Sequence, residues 1–352
     1  MVLTLKIKKA KAQDAIRWLS KRGWKDSSYV LGRTMMYVII PLKKEADANL
    51  AKKEFNGILE EKNMHKVVKR VTLEDKLKGF LSPEQLEKVN SSFDVLGDIA
   101  ILDIPDELSR VEKSIAWAVI KTLPNLKTVA KRATITEGEF RIRKIKPLVG
   151  VNKSETLHKE NGVLIKLDIN KVYFSPRLST ERLRIAQLVK PKEKVLVLFA
   201  GVGPYSLIIN KVQPKVEKIV SVEINEDAVN YLNQNLKLNC NIYKPGKLPP
   251  IAQMLEKHEV YCGDARKIIP KLKDRFDRIV MPLPHTAGEF FADAITVAKK
   301  GAIIHLYLFS VEEDLLKLEK SLKKFKVKIL NKVICGAYAP GVNRYCFDLK
   351  VA

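Results

Sequence analysis

Long hydrophobic runs are missing from this chain of 352 residues. The longest apolar stretch, residues 195–209, contains two glycines, a proline and a serine, and it is shorter than the roughly 20 residues that a membrane-spanning helix needs. The N-terminal segment MVLTLKIKKA places its lysines after its apolar residues, which is the reverse of a secretory signal. We therefore predict a cytoplasmic protein that does not contact a membrane.

Cysteine is also scarce, with four residues in the whole chain and no C-x-x-C pair. Zinc sites and disulfide frameworks typically use clustered cysteines, so we predict neither and expect reduced thiols that are mostly buried. No run of carboxylates indicates a dedicated metal site. The thiols are those of Cys240, Cys262, Cys335 and Cys346.

Negative charge is in deficit, because 40 Asp and Glu face 64 Lys and Arg and leave a formal net charge of +24. A lysine-rich thermophile surface is one explanation, but such surfaces usually balance lysine with glutamate. Attraction to a polyanion is simpler, and we predict a nucleic-acid partner. The 46% of hydrophobic residues is still ample for a folded core.

The N-terminal half of the chain contains two regions of different pattern. Residues 1–65 are basic, with 11 Lys or Arg against 4 Asp or Glu in the first 50. They read as strand, helix and strand, followed by a Lys/Glu-rich helix near 45–62. Residues 70–170 form a second region, with a helix start at Ser82 and Pro83. Within it GEFRIRKIKPLVG alternates basic and apolar residues, as a strand with one charged face does.

From residue 171 to 352, β-branched apolar runs alternate with helical segments. Such runs are typical of strands in a parallel sheet that is covered by helices on both faces. The last segment, KVKILNKVICGAYAPGVNRYCFDLKV, has instead the pattern of a hairpin. We therefore expect an α/β sheet that ends with an antiparallel strand.

A glycine-rich turn in this region is typical of a nucleotide-like cofactor site. FAGVGPY follows a predicted strand and opens a helix, and Gly201 and Gly203 would let the backbone approach a ligand closely. Glu223 ends the next strand, where a carboxylate can accept both ribose hydroxyls of an adenosine-containing ligand. A simple charge at a helix N-terminus is the alternative for Glu223. NAD and S-adenosylmethionine both satisfy these features, whereas Asp264 after the third strand and the final hairpin favour S-adenosylmethionine.

Several segments resemble one family. YFSPRL with its following E-R, then FAGVGPYS, VEIN, GDAR and MPLP, are similar to the archaeal and eukaryotic tRNA (guanine-37-N1)-methyltransferase family, including its wyosine-pathway branch. ETLHKENG and SFDVLGDIAIL extend the resemblance over nearly the whole chain. It implies a class I methyltransferase domain with a Rossmann-like sheet at 171–352, a middle α+β domain at 70–170 that contributes to the target-base site, and a small basic α/β module at 1–65 that docks on the tRNA elbow.

The resemblance also implies roles in catalysis. Glu181 matches the general base that removes the proton from N1 of guanine 37, and Arg141 matches the arginine that stabilises negative charge on O6. Both roles suit the chemistry, because N1 of a neutral guanine holds a proton and is a poor nucleophile. For Arg141 a generic phosphate contact is the alternative.

The segment that precedes Glu181 has two further candidates. Tyr173 and Arg177 are expected to shape the methionine end of the cofactor pocket and the target-base pocket. Arg177 could equally be structural and pair with Glu181. An ion pair with Arg182 or Arg184 on the same helix is the alternative role for Glu181 itself.

S-adenosylmethionine is the cofactor that the resemblance implies. The residues expected to border it are Tyr173, Phe199, Ala200, Gly201, Gly203, Glu223, Ile224, Asp264, Ala265, Pro282 and Pro284. One chain would then hold a complete site, so a monomer is the simplest expectation. Its partner would be tRNA, contacted at the anticodon loop and the elbow.

One position departs from the family. An Asn-x-Pro-x segment commonly follows the fourth strand, but this chain has Pro282 in place of the asparagine, and proline cannot make the side-chain bond near the target base. This leaves open methylation of a tricyclic wyosine precursor at position 37, alone or as a second activity. A tRNA-binding protein without catalysis is the second alternative, and transfer of an aminocarboxypropyl group ranks lower because MPLP resembles the methylating loop.

Overall fold

The computed structural model describes residues 1–66, 73–89, 93–133, 142, 144–240, 255–283 and 288–352. Arg141 and Pro284 lie outside the described residues. The chain divides into two compact units, Met1–Thr72 and Leu73–Ala352. The division of the second unit near residue 170 stays a prediction.

The first unit is a four-stranded antiparallel sheet covered by two helices. The strands lie in the order β2-β3-β1-β4, and β1 pairs with both β3 and β4. Its core is formed by apolar side chains of β1, β3 and α1, including Leu5, Ile7 and Leu19. The elements are β1 (Val2–Lys8), α1 (Lys9–Lys21), β2 (Gly32–Arg33), β3 (Tyr37–Pro41), α2 (Ala48–Phe55) and β4 (Ile58–Lys62).

The predicted helix near 45–62 is wrong in its second half. Helix α2 ends at Phe55, since Asn56 takes a left-handed conformation with φ of 50° and Gly57 follows it. Residues 58–62 then extend as β4 and pair with β1. The Lys/Glu pattern of ILEEK fits a helix or a strand, and pairing with the edge of β1 selects the strand.

The second unit begins with a sheet in the order β5-β6-β7-β8 and a separate hairpin, β9-β10. Ser82 caps α4 in a capping box with Gln85, and Pro83 takes the first helical position as predicted. Helix α5 packs Ile115 and Val119 against this sheet. The elements are α3 (Leu73–Leu77), α4 (Pro83–Lys88), β5 (Asp94–Leu96), β6 (Ile99–Leu102), α5 (Glu112–Thr122), β7 (Thr128–Arg132), β8 (Ile145–Gly150), β9 (Glu155–Glu160) and β10 (Val163–Asp168).

The rest of the second unit is a seven-stranded sheet in the order β13-β12-β11-β14-β15-β17-β16. Strands β11 to β15 are parallel, whereas β17 is antiparallel to β15 and forms a hairpin with β16. The elements are α6 (Ser179–Leu188), β11 (Lys194–Leu198), α7 (Pro204–Val212), β12 (Lys218–Glu223), α8 (Glu226–Cys240), β13 (His258–Cys262), α9 (Ala265–Ile268), β14 (Phe276–Met281), α10 (Phe291–Thr296), β15 (Ala298–Ser310), α11 (Leu315–Lys323), β16 (Val327–Ala339) and β17 (Val342–Val351).

Both faces of this sheet are buried, in accord with the β-branched runs of the sequence. On one face Val195, Val197 and Val280 pack with residues of α6, α7 and α8. On the other face Leu196 and Ile279 join a cluster with residues of α10 and α11. The predicted parallel α/β sheet with an antiparallel C-terminal strand is therefore confirmed. Among the described helices none is both long and apolar enough to cross a membrane.

Candidate active site

The glycine turn after β11 uses backbone conformations that favour glycine, as the sequence predicts. Phe199, Gly201 and Gly203 have φ values of 54°, 55° and 86°, so three residues of the turn are left-handed. A Cβ on Gly203 would lie 2.9 Å from Cγ of Leu232 on α8, and one on Gly201 would lie 3.9 Å from the Tyr173 carbonyl oxygen. Glycine is thus required at 203 by space as well as by conformation.

Glu223 joins this turn to the start of α8. Its Oε2 accepts a hydrogen bond from the Gly201 amide at 2.7 Å, and its Oε1 accepts one from the Asn225 amide at 2.9 Å. Burial raises the pKa of the Glu223 carboxyl, against the pull of these backbone amides. Each carboxylate oxygen has a second lone pair, so a ribose hydroxyl could still be bound by each. These acceptor oxygens therefore fit the ribose hydroxyls of an adenosine-containing cofactor.

Four more of the predicted cofactor residues lie at the same edge of the sheet, where β11, β12, β13 and β14 end. Ile224 is half-buried after β12, and Asp264 caps α9 by accepting from the Arg266 amide at 2.9 Å. Ala265 is buried, and Pro282 follows the end of β14.

The strand order places this edge at a topological switch point. The chain runs from β11 outward to β13 and then returns to β14 on the other side of β11. In open α/β sheets a crevice forms at such a point, outside the carboxyl ends of the strands. The glycine turn after β11 and Pro282 after β14 flank it.

Glu181 lies in the first turn of α6 and is only 6% exposed. Arg184 donates from Nε to Glu181 Oε2 at 2.7 Å and from Nη2 to Oε1 at 2.8 Å. Of the two ion pairs considered from the sequence, the one with Arg184 is present. Arg182 instead binds Glu160 with two bonds of 2.6 and 2.5 Å.

Two buried tyrosines connect Glu181 with the cofactor turn. The Tyr307 hydroxyl donates to Glu181 Oε1 at 2.5 Å, and the Tyr205 hydroxyl donates to that of Tyr307 at 3.0 Å. Tyr205 lies in the first turn of α7, two residues after Gly203. Tyr307 follows Leu306, which pairs with Met281 at the end of β14. Glu181 is therefore held at the same edge of the sheet as the glycine turn and Pro282.

The predicted catalytic residue Arg177 does not lie with Glu181. Arg177 donates from Nε to Asp94 on β5 at 2.7 Å, and its side chain is 67% exposed. The predicted alternative, a pair between Arg177 and Glu181, is therefore wrong, because Arg184 already occupies the carboxylate. Arg141 lies outside the described residues. Tyr173 is half-buried, with its carbonyl beside Gly201.

A buried polar chain behind Glu181 was not found from the sequence. Arg184 also donates to Asp348 on β17, from Nη1 to Oδ2 at 2.8 Å and from Nη2 to Oδ1 at 3.2 Å. Asp348 lies opposite His305 on β15, and His305 Nδ1 is 2.6 Å from Asp348 Oδ1. Arg278 Nη1 donates to His305 Nε2 at 2.6 Å. Only Arg184, three residues after Glu181, had a local signal in the sequence.

Among the described residues, three buried side chains beside Arg184 have the spacing of a metal site. The ligand atoms of His305, Cys346 and Asp348 all lie within 4.8 Å of one another. However, Arg184 and Arg278 donate hydrogen bonds into the group. Two guanidiniums at these distances would repel a cation, so the arrangement does not favour a metal ion.

The comparisons with known proteins settle the family. Residues 156–334 match the model of the TRM5/TYW2 methyltransferase domain, and residues 73–153 match the TYW2 N-terminal domain. The chain belongs to the TRM5/TYW2 methyltransferase family. The resemblance drawn from the sequence is thereby confirmed, and the cofactor of this class I methyltransferase is S-adenosylmethionine.

Individual relatives cover most or all of the chain. The tRNA (guanine(37)-N(1))-methyltransferase Trm5b of Pyrococcus abyssi is 34% identical over 360 residues, with 100% of both chains covered. The tRNA (guanine(37)-N(1))/4-demethylwyosine(37)-methyltransferase Taw22 of Nanoarchaeum equitans is 34% identical, over 72% of this chain and 99% of the relative. A solved complex of aTrm5 with tRNALeu is 29% identical and matches with a TM-score of 0.68, over 99% of this chain and 100% of that one.

Proposed function

We propose that this protein methylates N1 of guanine 37 in tRNA with S-adenosylmethionine as the methyl donor. The observation that carries the proposal is that the glycine turn, Glu223 and Glu181 meet at one edge of the sheet in a chain whose full-length relatives include a tRNA (guanine(37)-N(1))-methyltransferase. The net charge of +24 suits a polyanionic substrate.

The chain's own residues divide the work as follows. Glu223 and the turn at Gly201 and Gly203 bind the cofactor, which supplies an electrophilic methyl group when bound. Glu181 accepts the N1 proton as the base becomes a nucleophile. Arg141, assigned only from the family resemblance, stabilises the charge that develops on O6. Tyr173 borders the glycine turn, and one chain supplies all of these groups, which supports a monomer.

The residue at position 282 favours a wyosine precursor as a second substrate. Pro282 replaces the family asparagine near the target base, and the Nanoarchaeum equitans relative is named for both guanine 37 and 4-demethylwyosine 37. Methylation of a wyosine precursor is therefore the alternative activity, alone or in addition. A tRNA-binding role without catalysis is disfavoured, because Glu181 and the whole described cofactor edge are intact.

The deciding experiment measures transfer of labelled methyl groups from S-adenosylmethionine to three tRNA transcripts. They carry G37, A37 or the tricyclic precursor at position 37. Label on G37 alone supports the main proposal, and label on the precursor alone supports the alternative. No label on any transcript would leave the binding-only role.

The substitution Glu181→Gln tests the base assignment, because the amide keeps the shape but cannot take a proton. We expect calorimetry to give an unchanged affinity for S-adenosylmethionine, while the single-turnover methyl-transfer rate falls by about two orders of magnitude or more. Glu217→Gln, at an exposed carboxylate beyond the opposite edge of the sheet, is the control and should leave the rate unchanged. An unaltered rate in Glu181→Gln would remove Glu181 from the base role.

A further inference from the structure

One guanidinium serves two buried carboxylates beside the reacting edge of the sheet. Arg184 makes two hydrogen bonds with Glu181 and two with Asp348. Glu181 and Asp348 are 6% and 5% exposed. The two acids come from α6 and from β17, so Arg184 joins a helix to the strand next to β15.

The hydrogen-bond partners of His305 determine which of its two ring nitrogens carries the proton. A guanidinium can only donate, so His305 Nε2, at 2.6 Å from Arg278 Nη1, must accept. The proton of the ring then sits on Nδ1 and is donated to Asp348 Oδ1 at 2.6 Å. His305 is therefore neutral, and burial lowers the pKa of its ring, in agreement with the geometry.

The charges of this buried polar network, which links Glu181, Arg184, Asp348, His305 and Arg278, do not balance. Arg278 is matched by Glu193, which accepts from its Nε at 2.8 Å and from its Nη2 at 3.1 Å. Arg184 faces both Glu181 and Asp348, and His305 contributes no charge. Among the described residues the chain thus holds three carboxylates against two guanidiniums. A buried excess charge is costly, and uptake of one proton would remove it.

Asp348 is the member of this chain that remains ionised. Burial alone would raise the pKa of its carboxyl, but the bonds from His305 and Arg184 outweigh burial and hold that pKa well below its usual range. Of the two carboxylates that share Arg184, Glu181 is the one to which the proposed reaction delivers a proton. Several titratable or charged groups of the described residues face Glu181 or the network behind it. They are Arg182, Arg184, Glu193, Tyr205, Arg278, His305, Tyr307, Cys335, Cys346 and Asp348.

We propose that Asp348 is a positioning residue that allows Glu181 to act as a base by sharing Arg184 with it. The inference rests on the proposed function. As the methyl group leaves sulfur and bonds to N1, the N1–H bond breaks and its proton passes to Glu181, which becomes a neutral acid. Arg184 then keeps Asp348 as its partner. Without Asp348, protonation of Glu181 would leave a half-buried guanidinium unpaired, and Glu181 would be held as a carboxylate.

The test on the reaction uses Asp348→Asn and single-turnover methyl transfer to tRNA as a function of pH. Arg184 then belongs to Glu181 alone, so the midpoint of the acid limb of the rate should move to lower pH by about one unit, and the plateau rate should fall by about tenfold or more. Affinities for S-adenosylmethionine and tRNA should be unchanged. Asp348→Glu should restore the midpoint.

The matched control is Asp274→Asn, which removes another carboxylate that bridges two cations. Asp274 accepts from Lys194 at 2.5 Å and from Lys218 at 2.7 Å, at the edge of the sheet opposite the site. This variant should leave the acid limb in place. If the midpoint of the acid limb does not move in Asp348→Asn either, Asp348 has only a structural role, and the proposal is overturned.

A measurement without tRNA separates this proposal from the proposed function. Glutamate labelled with ¹³C at the carboxyl carbon is titrated by NMR in the full-length protein, and the Glu181 signal is identified by its loss in Glu181→Gln. Its titration midpoint should move to lower pH in Asp348→Asn. Asp348→Ser, which also removes the carboxylate, should give a shift in the same direction and carries the test if Asp348→Asn does not fold. Midpoints that do not move overturn the proposal. Midpoints that move as expected in a protein that methylates no tRNA uphold the coupling and overturn the function.

Discussion

At the scale of single residues, the cofactor edge depends on backbone conformations that side chains oppose. Gly203 has a left-handed φ of 86° and faces Leu232 across a gap that a Cβ would reduce to 2.9 Å. Gly341 in the hairpin of β16 and β17 has a similar φ of 74° but has no heavy atom within 4 Å of the position of a Cβ. Alanine at 341 would therefore cost backbone strain only, whereas alanine at 203 would cost strain and a steric clash with Leu232.

We expect Gly203→Ala to lower the free energy of unfolding by about 2–3 kcal/mol, and Gly341→Ala by about 1 kcal/mol. Urea unfolding measures both. Because Gly203 begins α7 at the cofactor turn, its substitution should also weaken binding of S-adenosylmethionine by about tenfold or more, whereas Gly341→Ala should leave binding unchanged. Equal effects of the two substitutions would show that Leu232 yields without cost.

At the scale of elements, two asparagines of α8 take the place of a strand partner for β10. Asn239 accepts from the Leu164 amide and donates to the Leu164 carbonyl, at 2.9 and 2.7 Å. Asn235 does the same for Lys166, at 2.7 and 3.0 Å, and also donates to the Val202 carbonyl in the glycine turn at 3.1 Å. Four residues separate the asparagines, so one helix face meets alternate residues of the strand edge. The helix thereby ties the β9-β10 hairpin to the cofactor turn.

Asn235→Ala should cost about 2–4 kcal/mol of unfolding free energy, because it leaves the amide and carbonyl of Lys166 and the carbonyl of Val202 without this partner. Asn233→Ala, at an exposed position of the same helix, is the control and should change stability by less than about 0.5 kcal/mol. Denaturant midpoints measure the difference. A weaker affinity for S-adenosylmethionine in Asn235→Ala alone would show that the bond to Val202 supports the site, and equal stability of both variants would contradict this account.

At the scale of the whole molecule, the two compact units divide the chain at Thr72. The first unit has its own core, and the second contains the described cofactor edge and Glu181 with its partners. The first 50 residues carry 11 Lys or Arg against 4 Asp or Glu. We propose that this unit docks on tRNA, a role that the family resemblance implies and this excess of positive charge supports.

Deletion of residues 1–72 should leave the affinity for S-adenosylmethionine unchanged, because the second unit keeps all of its described core clusters. Affinity for full-length tRNA should fall, and its dependence on salt should become shallower, since fewer phosphates are neutralised. Filter binding at several salt concentrations measures both quantities. Equal affinity with an equal salt slope would show that the first unit does not dock on tRNA.

Much of the fold was accessible from local patterns. The β-branched runs predict the buried parallel strands, and the final hairpin pattern predicts the antiparallel β17, because these signals depend only on residue type and spacing. The glycine turn and Glu223 were predicted in the same way, since a turn and the end of the next strand are neighbours in any sheet of this kind. The helix near 45–62 failed because its pattern fits a helix and a strand alike, and the pairing with β1 decided between them.

The sequence by itself therefore determined the class of fold, the basic charge and the residues of the glycine turn, because each of these follows from residues close together along the chain. The tertiary structure alone decided the surroundings of Glu181. Its link through Arg184 to Asp348 spans 164 positions from Arg184, and its bond from Tyr307 spans 126. Which side chains meet across such distances depends on strand order and on which face of each strand turns toward α6, and no local pattern encodes that choice.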